Sequence, residues 1–187
     1  MNLWFRLLNV LIASLFRARL ELTDRSLLRF RVLPHDLDLN MHMNNARYLA
    51  LMDLGRIDLI ARTGMWRPMF RQRWRPVVGG VLVRFRRPLN PFQAIALTSR
   101  VVCWDAKWLY FAHRIEAAGA LVCLTVVRAA FVGASGVVPP AEVIRETGFP
   151  GPPPEAPAWV EQWCDLDKAF AQELSPKVAS EEKAYVA

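Results

Sequence analysis

Alternation of apolar and polar residues in the middle of the chain constrains the fold more than any other feature. Residues 77–87, 93–104, 108–116 and 120–132 each alternate with a period of two, as half-buried β-strands do. The connections between these segments are short, so the pattern predicts an antiparallel meander. His113 lies on the apolar face of the third segment and is expected to be a core or tunnel-wall residue.

A helix precedes these strands. Residues 26–33 form a further short strand, and residues 45–63 carry apolar side chains at helical spacing. Asn44 or Asn45 can cap the start of this helix, and Gly64 marks its end. The order strand, long helix, four strands predicts an α+β domain in which a curved antiparallel sheet wraps around one long central helix.

The first 17 residues form an apolar segment that contains arginines. Its large apolar side chains recur every three or four residues from Leu3 to Phe16, which predicts a helix. The apolar run is shorter than the roughly 20 residues that span a bilayer. Two interpretations follow. The helix packs on its own domain or on a partner subunit, or it lies in the plane of a membrane with Arg6, Arg17 and Arg19 at the head groups.

The chain after the strands is divided by a proline-rich stretch. Residues 149–158 contain five prolines and are expected to be a stiff linker. Residues 159–187 follow, and their apolar spacing up to Leu174 predicts an amphipathic helix docked on the domain, with a disordered tail after it. The predicted organisation is an N-terminal helix in 1–20, one domain in 21–148, the linker, and the C-terminal helix with its tail.

The charge balance favours anionic partners. The chain has 24 Lys and Arg against 17 Asp and Glu, for a formal net charge of +7. This charge suits nucleic acid, an acidic membrane or a phosphorylated small molecule, but no RNA-binding motif accompanies the arginines, so nucleic acid is not expected. The three cysteines, Cys103, Cys123 and Cys164, are too dispersed for a zinc site or a disulfide framework. We therefore expect no metal and a cytoplasmic protein, with membrane association as an open alternative.

Chemically versatile side chains are concentrated just before the long helix. Residues 36–48 read DLDLNMHMNNARY, and their first seven residues hold two carboxylates, a carboxamide and an imidazole. The N-terminus of a helix presents unpaired N–H groups, which stabilise an oxygen that gains negative charge. A carboxylate beside them can activate water or attack a carbonyl carbon. The same residue types are common helix caps, so a structural role is the alternative for each of them.

The motif resembles the signature of the hotdog-fold thioesterases. Asp38, Asn40 and His42 follow the D-x-N-x-H order of the plant acyl-carrier-protein thioesterases. The chain resembles still more the family of thioesterase superfamily member six and its bacterial relatives, which share DLDLNMHMNNARY, the RFRRPL of residues 84–89 and the WDxKW turn of residues 104–108. The resemblance implies a hotdog fold.

The resemblance also assigns roles within the motif. It implies that Asp38 is the general base or nucleophile, that Asn40 orients it or its water, and that His42 assists. At the entrance to the helix, the expected substrate-binding residues are Asn44, Asn45 and Tyr48.

Three functions remain open on this basis. The leading expectation is an acyl-CoA thioesterase, which hydrolyses a fatty or aryl acyl-CoA to the free acid and CoA without a cofactor. Its acyl chain would lie between helix and sheet or between the subunits of a homodimer or a dimer of dimers. The plant enzymes carry a glutamate after a paired arginine, whereas Pro88 follows Arg86 and Arg87 here, which keeps a non-catalytic acyl-binding or membrane-associated scaffold as the alternative. An enoyl-thioester hydratase is disfavoured, because its D-x-N-P-x-H pattern has a proline and an extra residue that this motif lacks.

Overall fold

The computed structural model describes residues 2–174, so the predicted tail lies outside the described residues. The strands predicted from the period-two pattern are present, each within two residues of its expected bounds. The helices and strands are, in chain order, α1 (Asn2–Phe16), β1 (Ser26–Arg31), α2 (Asn45–Arg62), α3 (Trp66–Gln72), β2 (Arg75–Phe85), β3 (Ala94–Trp104), β4 (Leu109–Ala117), β5 (Ala120–Gly133), β6 (Gly136–Val138), α4 (Pro140–Thr147) and α5 (Ala158–Leu174).

The strands form a single antiparallel sheet in the order β1-β3-β4-β5-β2, with β6 paired to β5. The expectation that β2 pairs with β3 was wrong, because β2 runs alongside β5 instead. The connection from β2 to β3 is not a tight turn. It buries Leu89, whose carbonyl oxygen accepts a hydrogen bond from Met43 N at 2.9 Å, and so it passes beside the turn that precedes α2.

The predicted central helix, α2, packs against this sheet. Its buried side includes Leu51, Met52 and Leu54, which share one core cluster with Leu97 of β3 and Ile115 of β4. Gly55 lies in the same helix. A Cβ atom there would come within 2.2 Å of Ser99 Oγ, so the absence of a side chain allows the helix to approach β3 closely. The predicted α+β architecture, a curved antiparallel sheet around one long helix, is confirmed.

Two polar side chains, His113 and Ser99, are buried between α2 and the sheet and contact each other. His113 is fully buried, with Nδ1 2.8 Å from Ser99 Oγ and Nε2 3.5 Å from Arg56. Burial lowers its pKa to about 3, and the neighbouring charge of Arg56 adds to the effect. His113 is therefore a neutral core residue, as its position on the apolar strand face predicted.

Helix α5 packs on the outer side of the sheet's β4 strand through two buried side chains. Val160 and Trp163 are buried against Tyr110, with the Trp163 and Tyr110 rings 6.0 Å apart in an edge-to-face arrangement. The guanidinium of Arg128 lies over the rings of both Trp108 and Trp163, at 4.9 Å and 5.2 Å. The C-terminal helix is thus joined to the sheet by an arginine between two tryptophans.

The WDxKW turn has a structural role. Asp105 accepts hydrogen bonds from the backbone N–H groups of Lys107 and Trp108, both at 2.7 Å, and from the hydroxyl of Tyr110 at 2.8 Å. One carboxylate therefore closes the turn between β3 and β4 and fixes the first residues of β4.

Helix α1 packs along one side on the domain. Val10 is buried, and Leu3 and Leu7 are half-buried, in the cluster that also holds the side chains of α2. No helix among residues 2–174 is both long enough and apolar enough to cross a membrane. Two further short helices, α3 and α4, lie in segments that the apolar spacing did not predict to be helical; α3 occupies the arginine- and tryptophan-rich connection before β2.

Candidate active site

The turn before α2 is a loop that backbone hydrogen bonds close. Asp38 N donates to the carbonyl oxygen of His42 at 2.8 Å, and Leu37 and Met43 form an antiparallel bridge. Asn44 N donates to the carbonyl oxygen of Asp36 at 2.8 Å. Residues 36–44 are thus fixed at several points, which holds the polar motif at the N-terminus of the helix.

Asp36 is the anchor of this loop rather than part of an open site. Its carboxylate is 2% exposed and forms a bidentate ion pair with Arg6 of α1, at 2.7 Å and 3.2 Å. The same carboxylate accepts a hydrogen bond from Leu33 N at 3.0 Å. Arg6 also donates to the carbonyl oxygen of Arg31 at 3.0 Å. Asp36 therefore holds together α1, the end of β1 and the turn.

Asp38 has one oxygen engaged by the turn and one that is free. Its Oδ1 accepts hydrogen bonds from the backbone N–H groups of Asn40, at 2.8 Å, and His42, at 3.3 Å. Its Oδ2 makes no hydrogen bond with any residue from 2 to 174. The side chain is half-buried. This arrangement orients the carboxylate through one oxygen and leaves the other available to a ligand.

The first turn of α2 has a backbone N–H group without a hydrogen-bond partner among the described residues. The Asn44 side chain caps the helix by accepting from Ala46 N at 2.9 Å, and Arg47 N donates to the carbonyl oxygen of Asn44. No hydrogen bond within the described part of the chain uses the N–H of Asn45. A helix N-terminus of this kind attracts an oxygen with negative charge.

An open cleft of about 310 Å³ joins these groups. We call it the Asp38 cleft. It brings together the turn, the first turn of α2 and the end of β2 with the residues that follow it. Its lining residues are Asp38, His42, Met43, Asn45, Tyr48, Phe85, Arg86, Arg87 and Pro88.

Tyr48 forms the buried side of the cleft. Its ring is 5.2 Å from that of Phe85 at an interplanar angle of 78°. Burial raises the pKa of Tyr48 to about 12; Cys123 and the charge of Asp38 add to the increase, while a hydrogen bond with the Leu89 backbone opposes it. The Tyr48 hydroxyl therefore stays protonated at neutral pH.

The predicted site residues divide into two groups. The cleft brings together Asp38, His42, Asn45 and Tyr48. Asn40 is exposed and does not line the cleft. Its backbone N–H, rather than its side chain, contacts Asp38. Asn44 is also outside the lining and serves as the helix cap. The catalytic and binding roles of all six residues remain predictions.

The sequence motif alone did not include the second wall of the cleft. Arg86, Arg87 and Pro88 reach it because the connection after β2 passes beside the turn, where Leu89 accepts a hydrogen bond from Met43 N. The RFRRPL motif of residues 84–89 was the available signal for this wall. Within residues 2–174, no cluster of three or more His, Cys, Asp or Glu side chains could hold a metal ion.

A larger cavity, of about 440 Å³, lies at the opposite end of α2 around Arg62 and Gly64. It contains none of the predicted site residues. Since α2 has 18 residues, this cavity is separated from the Asp38 cleft by roughly 25 Å along the helix axis.

Fold and site together define a hotdog-type thioesterase domain. Residues 32–164 match the thioesterase-like superfamily, and the chain belongs to this family. It is 32% identical over 122 residues to protein THEM6 of Xenopus laevis, a match that covers 63% of this chain and 58% of the frog protein. The chain thus spans little more than half the length of that relative.

Two solved structures have the same fold. The probable thioesterase YbaW of Escherichia coli superimposes with a TM-score of 0.61 at 20% identity, over 66% of this chain and 96% of its own. The Staphylococcus aureus protein SAV2348, solved in complex with CoA, gives a TM-score of 0.59 at 12% identity, over 76% of this chain and 96% of its own.

Proposed function

We propose that this protein hydrolyses acyl-CoA thioesters in the Asp38 cleft. The observation that carries the proposal is the carboxylate of Asp38, which is fixed through Oδ1 and has no hydrogen bond at Oδ2 from residues 2–174, in a cleft that also contains the first residue of a long helix. Membership of the thioesterase-like superfamily supports a thioester substrate, and a structural relative from Staphylococcus aureus binds CoA.

The reaction follows from these two groups. Oδ2 of Asp38 removes a proton from water, and the water oxygen forms a bond with the thioester carbonyl carbon. The negative charge that develops on the carbonyl oxygen is stabilised by the N–H of Asn45 at the start of α2. The C–S bond then breaks, and the CoA thiolate takes the proton held by Asp38, which gives the free acid and CoA. His42, on the same wall, donates a hydrogen bond to the reacting groups.

Arg86 and Arg87 bind the CoA end of the substrate in this proposal. Both side chains are exposed at the cleft wall opposite the turn, and CoA carries several phosphate charges. The absence of a carboxylate after Arg87 has a chemical consequence, because Pro88 supplies neither a base nor a hydrogen bond donor. Asp38 is therefore the only carboxylate among the residues that line the cleft.

The acyl chain lies between two subunits in this proposal. The space between α2 and the sheet is filled by core side chains such as Leu51, Leu97 and Ile115. Strand β2, by contrast, is an edge strand that exposes apolar side chains on both faces, including Val77, Val81 and Phe85. Unpaired edges of this kind attract a second strand. Pairing of β2 with its copy in a homodimer would cover these side chains and extend the Asp38 cleft.

A non-catalytic acyl-binding scaffold is the second candidate, and Pro88 is the observation that favours it. In that case the cleft binds acyl-CoA through the same arginines, and Asp38 serves only to shape the turn.

Release of CoA thiol from acyl-CoAs of several chain lengths, and from an aryl acyl-CoA, tests the two candidates. We expect turnover by the wild type and a loss of at least about 10²-fold in Asp38→Asn, because the amide keeps Oδ1 as an acceptor but is not a base. Binding of acyl-CoA to this variant, measured by calorimetry, should change little. His42→Ala should show an intermediate rate, since water can replace a hydrogen-bond donor in part.

Asp36→Asn is the matched control, because it makes the same chemical change two residues away from the proposed base. It should reduce turnover much less than Asp38→Asn once its lower stability is taken into account. Normal turnover in Asp38→Asn, with none in His42→Ala, would show that the base has been wrongly assigned. Tight acyl-CoA binding without thiol release in the wild type would establish the scaffold instead.

A further inference from the structure

Helix α1 has an outer face made of large apolar side chains. Seven of them are exposed, among them Trp4 at 74%, Leu15 at 79% and Phe16 at 85%. They occupy an arc of about 140° around the helix, as calculated from 3.6 residues per turn. The outer face of α1 comprises Trp4, Phe5, Leu8, Leu11, Ile12, Leu15 and Phe16.

The opposite side of α1 fixes the direction of this face. Leu3, Leu7 and Val10 pack into the domain core, and Arg6 forms the bidentate ion pair with buried Asp36. The outer face therefore cannot turn inward without breaking these contacts. Seven exposed apolar side chains on one face of a helix mark a site of interaction.

The cavity of about 440 Å³ at the C-terminal end of α2 continues this face. One side is lined by Ser14 and Leu15 of α1 and by the chain that follows the helix from Arg17, so Leu15 belongs to both surfaces. We call this cavity the arginine cleft. Its other walls come from the end of α2, the start of α3 and the chain after α4. Its charged lining residues are Arg17, Arg19, Arg62, Arg67, Glu21 and Glu146.

Two of the four arginines are engaged with a buried carboxylate. Asp58 is fully buried and lies 3.2 Å from Arg62 and 3.6 Å from Arg17. Of the two acidic residues in the cleft, Glu146 is paired with Arg71. Arg19 and Arg67 are exposed and form no ion pair with any described residue, so they are available to an anionic ligand.

We propose that α1 lies in the interface of an anionic phospholipid bilayer, with its outer face among the acyl chains and the arginine cleft around a phosphate headgroup. Apolar side chains that include tryptophan, next to arginines, match the layered chemistry of a membrane surface. A second copy of the chain would bring the same excess of positive charge, whereas an anionic bilayer neutralises it. The cleft is at the far end of α2 from Asp38, so the proposal does not depend on catalysis.

Co-sedimentation of the full chain with lipid vesicles tests this proposal. We compare vesicles of phosphatidylcholine with vesicles that also contain phosphatidylglycerol. We expect the wild type to bind the anionic vesicles at least tenfold more strongly. Leu8→Glu/Leu15→Glu should abolish binding to both, because the outer face then carries charge.

A pair of double variants locates the headgroup. R19Q/R67Q should weaken binding to anionic vesicles roughly 30-fold, on the basis of about 1 kcal/mol for each arginine near the surface. R29Q/R100Q removes the same charge from exposed positions on β1 and β3, outside the cleft, and should change binding by no more than about threefold. Unchanged circular dichroism and melting temperature show that each variant is folded.

Several results would overturn the proposal. Wild type that stays in the supernatant with anionic vesicles excludes the membrane. If R19Q/R67Q and R29Q/R100Q lose the same amount of vesicle binding, the attraction is a general charge effect without a headgroup site. If saturating CoA releases the protein from the vesicles, the arginine cleft binds CoA instead. If Leu8→Glu/Leu15→Glu converts a dimer to a monomer and the wild type binds no vesicles, a second copy covers the outer face.

Discussion

Arg6 on the N-terminal helix and Asp36 at the start of the polar turn form a bidentate ion pair, with N–O distances of 2.7 Å and 3.2 Å. The two residues are 30 positions apart in the sequence, and both side chains are largely buried. Asp36 also accepts from Leu33 N and, through its carbonyl oxygen, from Asn44 N. The position of Asp38, two residues further on, is therefore linked to the docking of α1.

Removal of Arg6 should destabilise the whole domain. In Arg6→Met the carboxylate of Asp36 stays buried without its main partner, which should lower the free energy of unfolding by about 3 kcal/mol. Urea denaturation near neutral pH measures this. Arg6→Met/Asp36→Asn removes the unpaired charge as well, so it should be more stable than Arg6→Met alone. If the two substitutions are additive instead, the ion pair contributes nothing to stability.

The link to Asp38 gives a kinetic expectation for the same variant. Among residues 2–174, the hydrogen bonds and ion pair of Arg6 go to Asp36 and Arg31 and not to residues that line the Asp38 cleft, so we expect Arg6→Met to affect turnover through the turn. We expect a lower kcat with a KM that changes little, measured at a temperature where the variant is fully folded. An unchanged kcat would mean that the turn keeps its shape without α1.

His113 should make the domain sensitive to acid. Its pKa is about 3 in the folded protein, below its ordinary value of 6.5, so above pH 6.5 it is neutral in both states and contributes no pH dependence. As the pH falls below 6.5, the unfolded chain binds a proton that the folded protein does not, and stability decreases by about 1.4 kcal/mol per pH unit until about pH 3. His113→Gln should remove this contribution while its amide retains contacts with Ser99 and Arg56.

Urea denaturation of wild type and His113→Gln at about pH 7 and about pH 5 measures the difference. The wild type should lose about 2 kcal/mol more than the variant over this interval. Equal losses in the two proteins would show that His113 is protonated in the folded state or that it is not buried.

Gly55 should be intolerant of even a methyl group. The Cβ of Gly55→Ala would meet Ser99 Oγ at 2.2 Å and Leu97 Cδ2 at 3.1 Å, so either the Ser99 hydroxyl must leave His113 or the helix must move away from β3. Such overpacking usually costs about 1–3 kcal/mol, which exceeds the gain in helix propensity. Gly55→Ala/Ser99→Ala should regain part of the loss in melting temperature. If the melting temperature does not recover in the double variant, the clash is not with the Ser99 side chain.

The parts of the fold that depend on local sequence were predictable. The period-two segments became strands, and residues 45–63 became α2, because alternation and helical spacing report which side of an element is buried. The turn of residues 36–44 was placed correctly at the helix entrance for the same reason, since Asn44 caps the helix with its own side chain.

The parts that depend on contacts between distant segments were not predictable. Nothing local indicates that β2 pairs with β5, or that Arg86 and Arg87 face Asp38 across a cleft. The same holds for Arg6, which looked like one of several arginines of an apolar helix but is the partner of Asp36. The sequence therefore indicated one wall of the Asp38 cleft and missed both the opposite wall and the ion pair that supports the turn.

The free edge of β2 leads to a prediction about assembly. Val77 and Val81 are 40% and 38% exposed on this strand, and their substitution in Val77→Lys/Val81→Lys should leave the folded monomer intact because the side chains reach solvent. If the edges of two copies pair, charged residues there repel each other and the dimer dissociates. Leu27→Lys/Leu124→Lys is the matched control, since these side chains on β1 and β5 are 40% and 41% exposed and the charge gained is the same.

Sedimentation velocity should therefore find a dimer for the wild type and for Leu27→Lys/Leu124→Lys, and a monomer for Val77→Lys/Val81→Lys. Because the proposed acyl site lies between subunits next to Phe85, the monomer should also lose thiol release with long acyl chains more than with short ones. A wild type that is monomeric while it turns over acyl-CoA would contradict both expectations. In that case the acyl chain must bind within one subunit, and core side chains such as Leu51 and Ile115 must move to admit it.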